Sequence, residues 1–230
     1  MSNDIRSEVR SFPMGDVTQG TATNAQRVLR NTYALLGLTL AFSAAVAGVA
    51  MSLNLPHPGL LITLAGFYGL FFLVNKFANS GTGVLAIFAL TGFMGYTLGP
   101  TLNAVMTLPG GSGAITSALG ATAAAFLGLS AIALTTKRDF SFMGKFLMIG
   151  MLVAVVLSLG GIFFQIPALS LAVSGMVVLL ASGLILFETS RIVNGGETNY
   201  VMATVSLFVS IYNLFSSLLM LFGLGGGRDD

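Results

Sequence analysis

A chain with so few ionisable side chains gives chemistry little to work with, and three sets of residues stand out by type and spacing. The first is Glu188, followed by Thr189-Ser190-Arg191, which sets a carboxylate and a guanidinium at i and i+3 on one helical face. Glu188 is the only acid within reach of an apolar span, so its protonation would respond to packing and pH. The pair suits proton or ion sensing, and equally an interfacial ion pair that ends a helix. The second set is Ser206, Ser210, Asn213 and Ser217, which fall within about 60° of arc at 3.6 residues per turn. Four polar side chains on one stripe avoid lipid, so this helix faces protein or lines a wet cavity on that side. The third set is Thr91, Gly95, Gly99 and Asn103, recurring every fourth residue. Gly95 and Gly99 form a close-approach motif for a neighbouring helix, and Pro100 deprives the Tyr96 carbonyl of its hydrogen bond, so a kink is expected there. Gly120, Ala124 and Gly128 look like a similar packing ladder.

Several chemistries are excluded by what is missing. With one histidine, His57, no cysteine and no acid at a span centre, neither a His/Glu metalloprotease nor a paired-aspartate intramembrane protease can be assembled. The Gly110-Gly111-Ser112-Gly113 segment matches the short motif of rhomboid-type serine proteases, with His57 as the only available base. Both fall in expected loops, where Gly-Ser clusters are ordinary turn chemistry. Gly144-Lys145 lacks the rest of a phosphate loop. No cofactor is expected, and Glu188 would be a metal ligand only if calcium were bound. No basic patch with interleaved aromatics points to nucleic acid.

The elements that must position these residues follow from charge scarcity. Of 230 residues only 8% are charged and 55% are hydrophobic, against roughly 25% charged in a soluble domain. Charged residues leave four long apolar runs, 31–75, 77–136, 146–187 and 198–227. Pro56-His57-Pro58, Leu108-Pro109-Gly110 and Gln165-Ile166-Pro167 divide the first three. A spanning helix needs about 20 residues, so the fold class is an all-α polytopic membrane protein. Its seven transmembrane helices are expected near 31–54, 59–75, 84–107, 114–135, 146–164, 168–188 and 198–223. The stripe on the last helix suggests that it packs inside the other six. Thr198 reads as the N-cap of that helix, after an Asn194-Gly195-Gly196 turn.

Lys and Arg are retained on the cytoplasmic side in short loops. With the N-terminus inside, that side collects Arg6, Arg10, Arg27, Arg30, Lys76, Lys137, Arg138, Lys145 and Arg191, and the other side holds only Arg228. The expected topology is therefore N-terminus cytoplasmic and C-terminus outside. Residues 1–26 read as a mobile cytoplasmic tail, 27–223 as the membrane domain and 224–230 as a short C-terminal tail. Ala45-Val46-Ala47 looks like a signal cleavage box, but the polar leader and apolar helix around it are too long for one.

Five segments carry a family resemblance: Val28-Leu29-Arg30-Asn31-Thr32-Tyr33, Thr91-Gly92-Phe93-Met94-Gly95-Tyr96-Thr97-Leu98-Gly99-Pro100, Ile185-Leu186-Phe187-Glu188-Thr189-Ser190, Gly195-Gly196-Glu197-Thr198-Asn199-Tyr200, and residues Ser206 to Phe215. From about residue 27 to 223 the chain resembles the Bax inhibitor-1 family, most of all its bacterial YccA branch. The resemblance implies seven helices with the last central and surrounded by the other six. It also implies a bacterial inner-membrane location and association with FtsH, the membrane-anchored ATP-dependent protease, whose action such proteins moderate. The cytoplasmic tail would be the part offered to the protease. Other branches are described as pH-sensitive calcium leaks that use two acids, one at the end of the sixth helix and one in the seventh. Glu188 matches the first, but Ser210 stands at the second, and a hydroxyl cannot share a proton as a carboxylate does.

Overall fold

Seven helices make up nearly all of what the computed structural model describes, residues 15–136 and 138–225. They are α1 (Gly15–Ser52), α2 (Leu60–Phe77), α3 (Gly81–Met106), α4 (Gly111–Thr136), α5 (Gly144–Phe163), α6 (Pro167–Val193) and α7 (Tyr200–Gly225), with one 3-10 turn, Ser141–Met143, before α5. Each is long and apolar enough to cross a membrane, α1 within its residues 24–52. The chain is a multi-pass, all-helical membrane protein.

Two boundaries differ substantially from the sequence reading. Helix α1 begins at Gly15 rather than near 31, so residues 15–26 of the expected tail are helical. Apolar burial stops at the membrane surface, but backbone hydrogen bonding need not, and Ala25, Gln26, Arg27 and Arg30 favour helix. Residues 1–14 of that tail, and 226–230 with Arg228, lie outside the described residues. Helix α6 continues to Val193, so Glu188 lies inside the helix instead of ending it. A charge does not break a helix when its partner waits one turn on. Three helices instead end where the backbone turns left-handed, at Asn54, Gln165 and Gly195 with φ of 49°, 52° and 74°. In each case the next N–H reaches five residues back: Leu55 to Ala50, Ile166 to Gly161 and Gly196 to Arg191.

Helices α1 and α3 pack backbone to backbone. A Cβ on Gly95 would stand 2.3 Å from the Ser43 carbonyl oxygen, and one on Gly99 2.6 Å from the Ala50 Cβ. Asn103 continues the seam by donating to the Met51 carbonyl at 2.9 Å and the Asn54 side chain at 3.2 Å. Pro100 lies within α3, which runs on to Met106. The Gly120, Ala124 and Gly128 ladder of α4 does not pack: these residues are exposed, and no atom would meet a Cβ on either glycine within 4 Å. The buried face of α4 carries Ala114, Ala118, Thr122, Ser130 and Ala133 instead.

Helix α7 is the most buried span. It packs against α1, α2, α3, α4 and α6, but among the described residues α5 packs only on α6 and the 3-10 turn. The expectation of a last helix surrounded by all six others is corrected to that extent, because a cavity of about 450 Å³ separates α5 from α7.

The antiparallel path gives the bundle two ends. At the entry end, where α1 begins, lie the α2–α3, α4–α5 and α6–α7 connections, and at the far end the α1–α2, α3–α4 and α5–α6 connections. Arg27, Arg30, Lys76, Arg138, Lys145 and Arg191 all belong to the entry end.

Candidate functional site

The polar groups of the entry end converge on the last turns of α6. The Arg191 Nη1 donates to both Glu188 oxygens, at 3.3 and 3.2 Å, while Nη2 donates to Glu197 Oε2 at 3.2 Å. One guanidinium thus joins a carboxylate inside a membrane helix to another in the loop beyond it. The Glu188 side chain is 9% exposed and that of Arg191 31%, so the guanidinium covers the buried carboxylate from the aqueous side. It also stands 5.5 Å from the Phe187 ring centroid, a cation–π distance. The i and i+3 pairing was legible from spacing. Glu197 was not, because its partnership crosses the left-handed turn at Gly195, and only its place in the Gly-Gly-Glu-Thr-Asn-Tyr segment hinted at it.

From this cluster, hydrogen bonds run to the other two connections of the same end. The Glu197 Oε1 accepts from the Asn199 N–H at 2.9 Å. The Asn199 Oδ1 accepts from the N–H groups of Val201 and Met202 at 2.9 and 3.1 Å, which makes Asn199 the N-cap of α7 and corrects the reading of Thr198. The other half of that amide donates to the Ala78 carbonyl at 3.1 Å and Asn79 Oδ1 at 2.8 Å, tying α6–α7 to α2–α3. Ser190 Oγ and Asn194 Nδ2 both donate to the Arg138 carbonyl, at 2.9 and 3.3 Å, tying α6 to α4–α5. Thr204 reaches the Thr32 carbonyl of α1 at 3.3 Å. Beside the cluster, Asn24, Arg27, Asn31, Glu197 and Thr198 line a concavity of about 430 Å³.

The remaining predicted site residues lie elsewhere. Ser210 is buried and donates to the Ser206 carbonyl of its own helix at 2.8 Å, with no hydrogen bond to Glu188. Asn213 and Ser217 line the cavity between α5 and α7, together with Tyr212, whose hydroxyl lies 3.0 Å from Thr97 Oγ1. Gly95, Gly99 and Asn103 belong to the α1–α3 seam. His57 is exposed in the α1–α2 connection, where its Nδ1 accepts from the Gly59 N–H at 3.0 Å, and Ser112 is exposed in the first turn of α4. Among the described residues no three His, Asp or Glu side chains gather as a metal ion would require.

Fold and cluster together define a seven-helix membrane protein with a half-buried ion triad at one end. A family model described as inhibitor of apoptosis-promoting Bax1 matches residues 25–227, and the chain belongs to that Bax inhibitor family. Among its relatives, an uncharacterized protein of Pseudomonas aeruginosa is 56% identical over 202 residues, covering 88% of this chain and 91% of the relative. A protein of Escherichia coli K12 named modulator of FtsH protease YccA is 54% identical over 200 residues, covering 87% and 91%. An uncharacterized membrane protein of Vibrio cholerae is 45% identical over 204 residues, covering 88% and 92%.

Proposed function

We propose that the chain is a non-enzymatic modulator of the FtsH protease in the bacterial inner membrane, with its entry end in the cytoplasm. The carrying observation is 54% identity, over nearly the whole length of both chains, to a protein named for that role. The side assignment rests on the six basic residues that share the entry end, which is where short loops retain Lys and Arg. On this reading the cross-tied loops and the N-terminal residues are the surface met by the protease.

Overexpression is expected to lengthen the half-life of an FtsH membrane substrate, and the chain is expected to co-purify with FtsH from detergent. Removing residues 1–23 separates the contribution of the tail from that of the loops. An unchanged substrate half-life on overexpression sinks the proposal. The alternative of a pH-sensitive calcium or cation leak has less support, since Ser210 bonds its own helix where a second acid would be needed. Calcium flux into liposomes, comparing wild type with Glu188→Gln, tests it directly.

A further inference from the structure

Helices α1 and α4 both pack on α6 and α7 but not on each other: among the described residues no Cα of one lies within 8 Å of a Cα of the other. The crevice between them holds two hollows. The larger, about 510 Å³, is walled almost wholly by carbon, and its floor is the buried side chains of Phe208, Ile211 and Phe215 on α7. Its exposed lining residues, Ala44 and Gly48 on α1 and Leu119 and Ala123 on α4, belong to the two helices that do not meet, so its mouth faces the membrane between them. The smaller, about 240 Å³, lies nearer the entry end and is lined by Gln26, Leu29, Arg30 and Tyr33 of α1 and Leu134 of α4. Tyr33 of the smaller and Phe126 of the larger touch, with ring centroids 5.8 Å apart, so the two hollows follow one another along the same crevice.

The chemistry of the walls selects the occupant. A water needs two to four polar partners, which the carbon walls do not offer, and the other solvent at this depth is hydrocarbon. On α1, Arg30, Gly37, Ala44 and Gly48 follow at intervals of 7, 7 and 4 and fall within about 40° of arc at 3.6 residues per turn. One face thus carries a cation and then three small residues that leave room beside the helix. A Cβ on Gly37 or Gly48 would meet nothing within 4 Å. From Arg30 to Leu40, the first α1 residue of the larger hollow, is ten residues, about 15 Å of helix and half the roughly 30 Å of a hydrocarbon core. An acyl chain whose head group is held at Arg30 therefore spans that distance, and its end enters the hollow. Among the described residues no carboxylate pairs with Arg30, and basic hollows between spanning helices suit anionic head groups.

We propose that the crevice between α1 and α4 binds an anionic phospholipid of the leaflet at the entry end, with its phosphate at Arg30 and the end of one acyl chain in the carbon-walled hollow. The site is separate from the Arg191 triad and does not rest on the FtsH reading.

The chain has no tryptophan, so a single introduced one reports on its own surroundings. Phe126→Trp puts it in the wall of the larger hollow, and Leu127→Trp, one residue on and 65% exposed in the wild type, puts it at the same depth against bulk lipid. The full chain is reconstituted in vesicles of phosphatidylcholine and phosphatidylglycerol, one or the other brominated on its acyl chains, and quenching measures which lipid lies beside each position. Phosphatidylglycerol is expected to be preferred about fivefold at position 126, as follows from about 1 kcal/mol for one basic residue at an anionic surface, and not at 127. Arg30→Gln should abolish that preference and Arg30→Lys keep most of it. Gly37→Leu, which obstructs the path between the two hollows, should lower quenching at 126 by the anionic lipid. Unchanged quenching at 127 in each variant shows that the fold is kept. Equal preference at 126 and 127, or a preference that survives Arg30→Gln, overturns the site. So does a tryptophan at 126 that neither brominated lipid quenches, as when a second copy of the chain covers the crevice.

Discussion

The two ends of the bundle are held by opposite means. At the entry end, loops are joined through charges and amides: Arg191 bridges two carboxylates, Asn199 reaches the α2–α3 connection, and Ser190 and Asn194 hold the α4–α5 connection. Toward the far end, α1 and α3 meet through absent side chains, with Gly99 against Ala50, helped by Asn103 and by Tyr96, which donates to the Pro56 carbonyl at 2.8 Å. Polar bonds tie three connections into one unit, whereas close approach joins only the two helices that share the seam. The first end should therefore answer to charge, and the second to volume.

Removing Arg191 should have the largest effect, because it leaves Glu188 buried and unpaired beside a second carboxylate. Breaking a buried ion pair costs about 3–5 kcal/mol, and the partial exposure of Arg191 brings the expectation to about 2–4 kcal/mol. Thermal unfolding in detergent should show Arg191→Ala far below Arg191→Lys, and equal stability of the two would mean that the triad does not hold this end. Next comes Gly99→Leu, which forces α1 and α3 apart and should cost about 1–3 kcal/mol, with no dependence on ionic strength. If added salt changes its effect, the division between charge and volume fails.

Asn199→Ala removes a helix cap, worth about 0.5–2 kcal/mol, together with the tie to Ala78. Amide exchange should therefore quicken in the α2–α3 connection as well as in the first turn of α7. Exchange raised only in α7 would show that the tie is idle.

The smallest effect belongs to Asp139, an exposed carboxylate in the α4–α5 connection held below its ordinary pKa by hydrogen bonding to Ser141, whose N–H reaches Oδ1 at 2.8 Å. A lowered folded-state pKa means that its contribution is complete above the ordinary carboxylate range and is lost as pH falls through the lowered value. Exchange at Ser141 should rise on acidification in the wild type and be insensitive to that step in Asp139→Asn.

What the sequence made legible, and what it hid, follows the same physics. Spans are set by transfer from water to lipid, a property of composition along the chain, so seven helices could be counted from the gaps between charges and the proline-containing breaks within them. The direction in which each helix faces depends on its neighbours. On α4, small residues occur all round, so spacing alone reads Gly120, Ala124 and Gly128 as a seam, whereas the buried face is that of Ala114, Ala118 and Thr122. The α1–α3 seam was legible because Gly95 and Gly99 fall on one stripe of a helix that also carries bulky side chains. At the site, Glu188 and Arg191 were visible as neighbours on one helix, but Glu197 and Asn199 act across a turn and between loops, where spacing rules carry no information. Asn199 rather than Thr198 starts α7 because the Asn199 amide can cap the helix and reach Ala78 at once.

The isolation of α5 bears on how the protein is made. Spans are made in chain order, and among the described residues the one helix that α5 packs on is α6, which follows it. When α5 leaves the insertion machinery it has lipid alone for company. It is the most apolar of the seven spans, whereas α3, which arrives after its partners α1 and α2, is the least. Its hydropathy suits α5 to stand alone in lipid until α6 arrives, whereas α3 meets both α1 and α2 already in place.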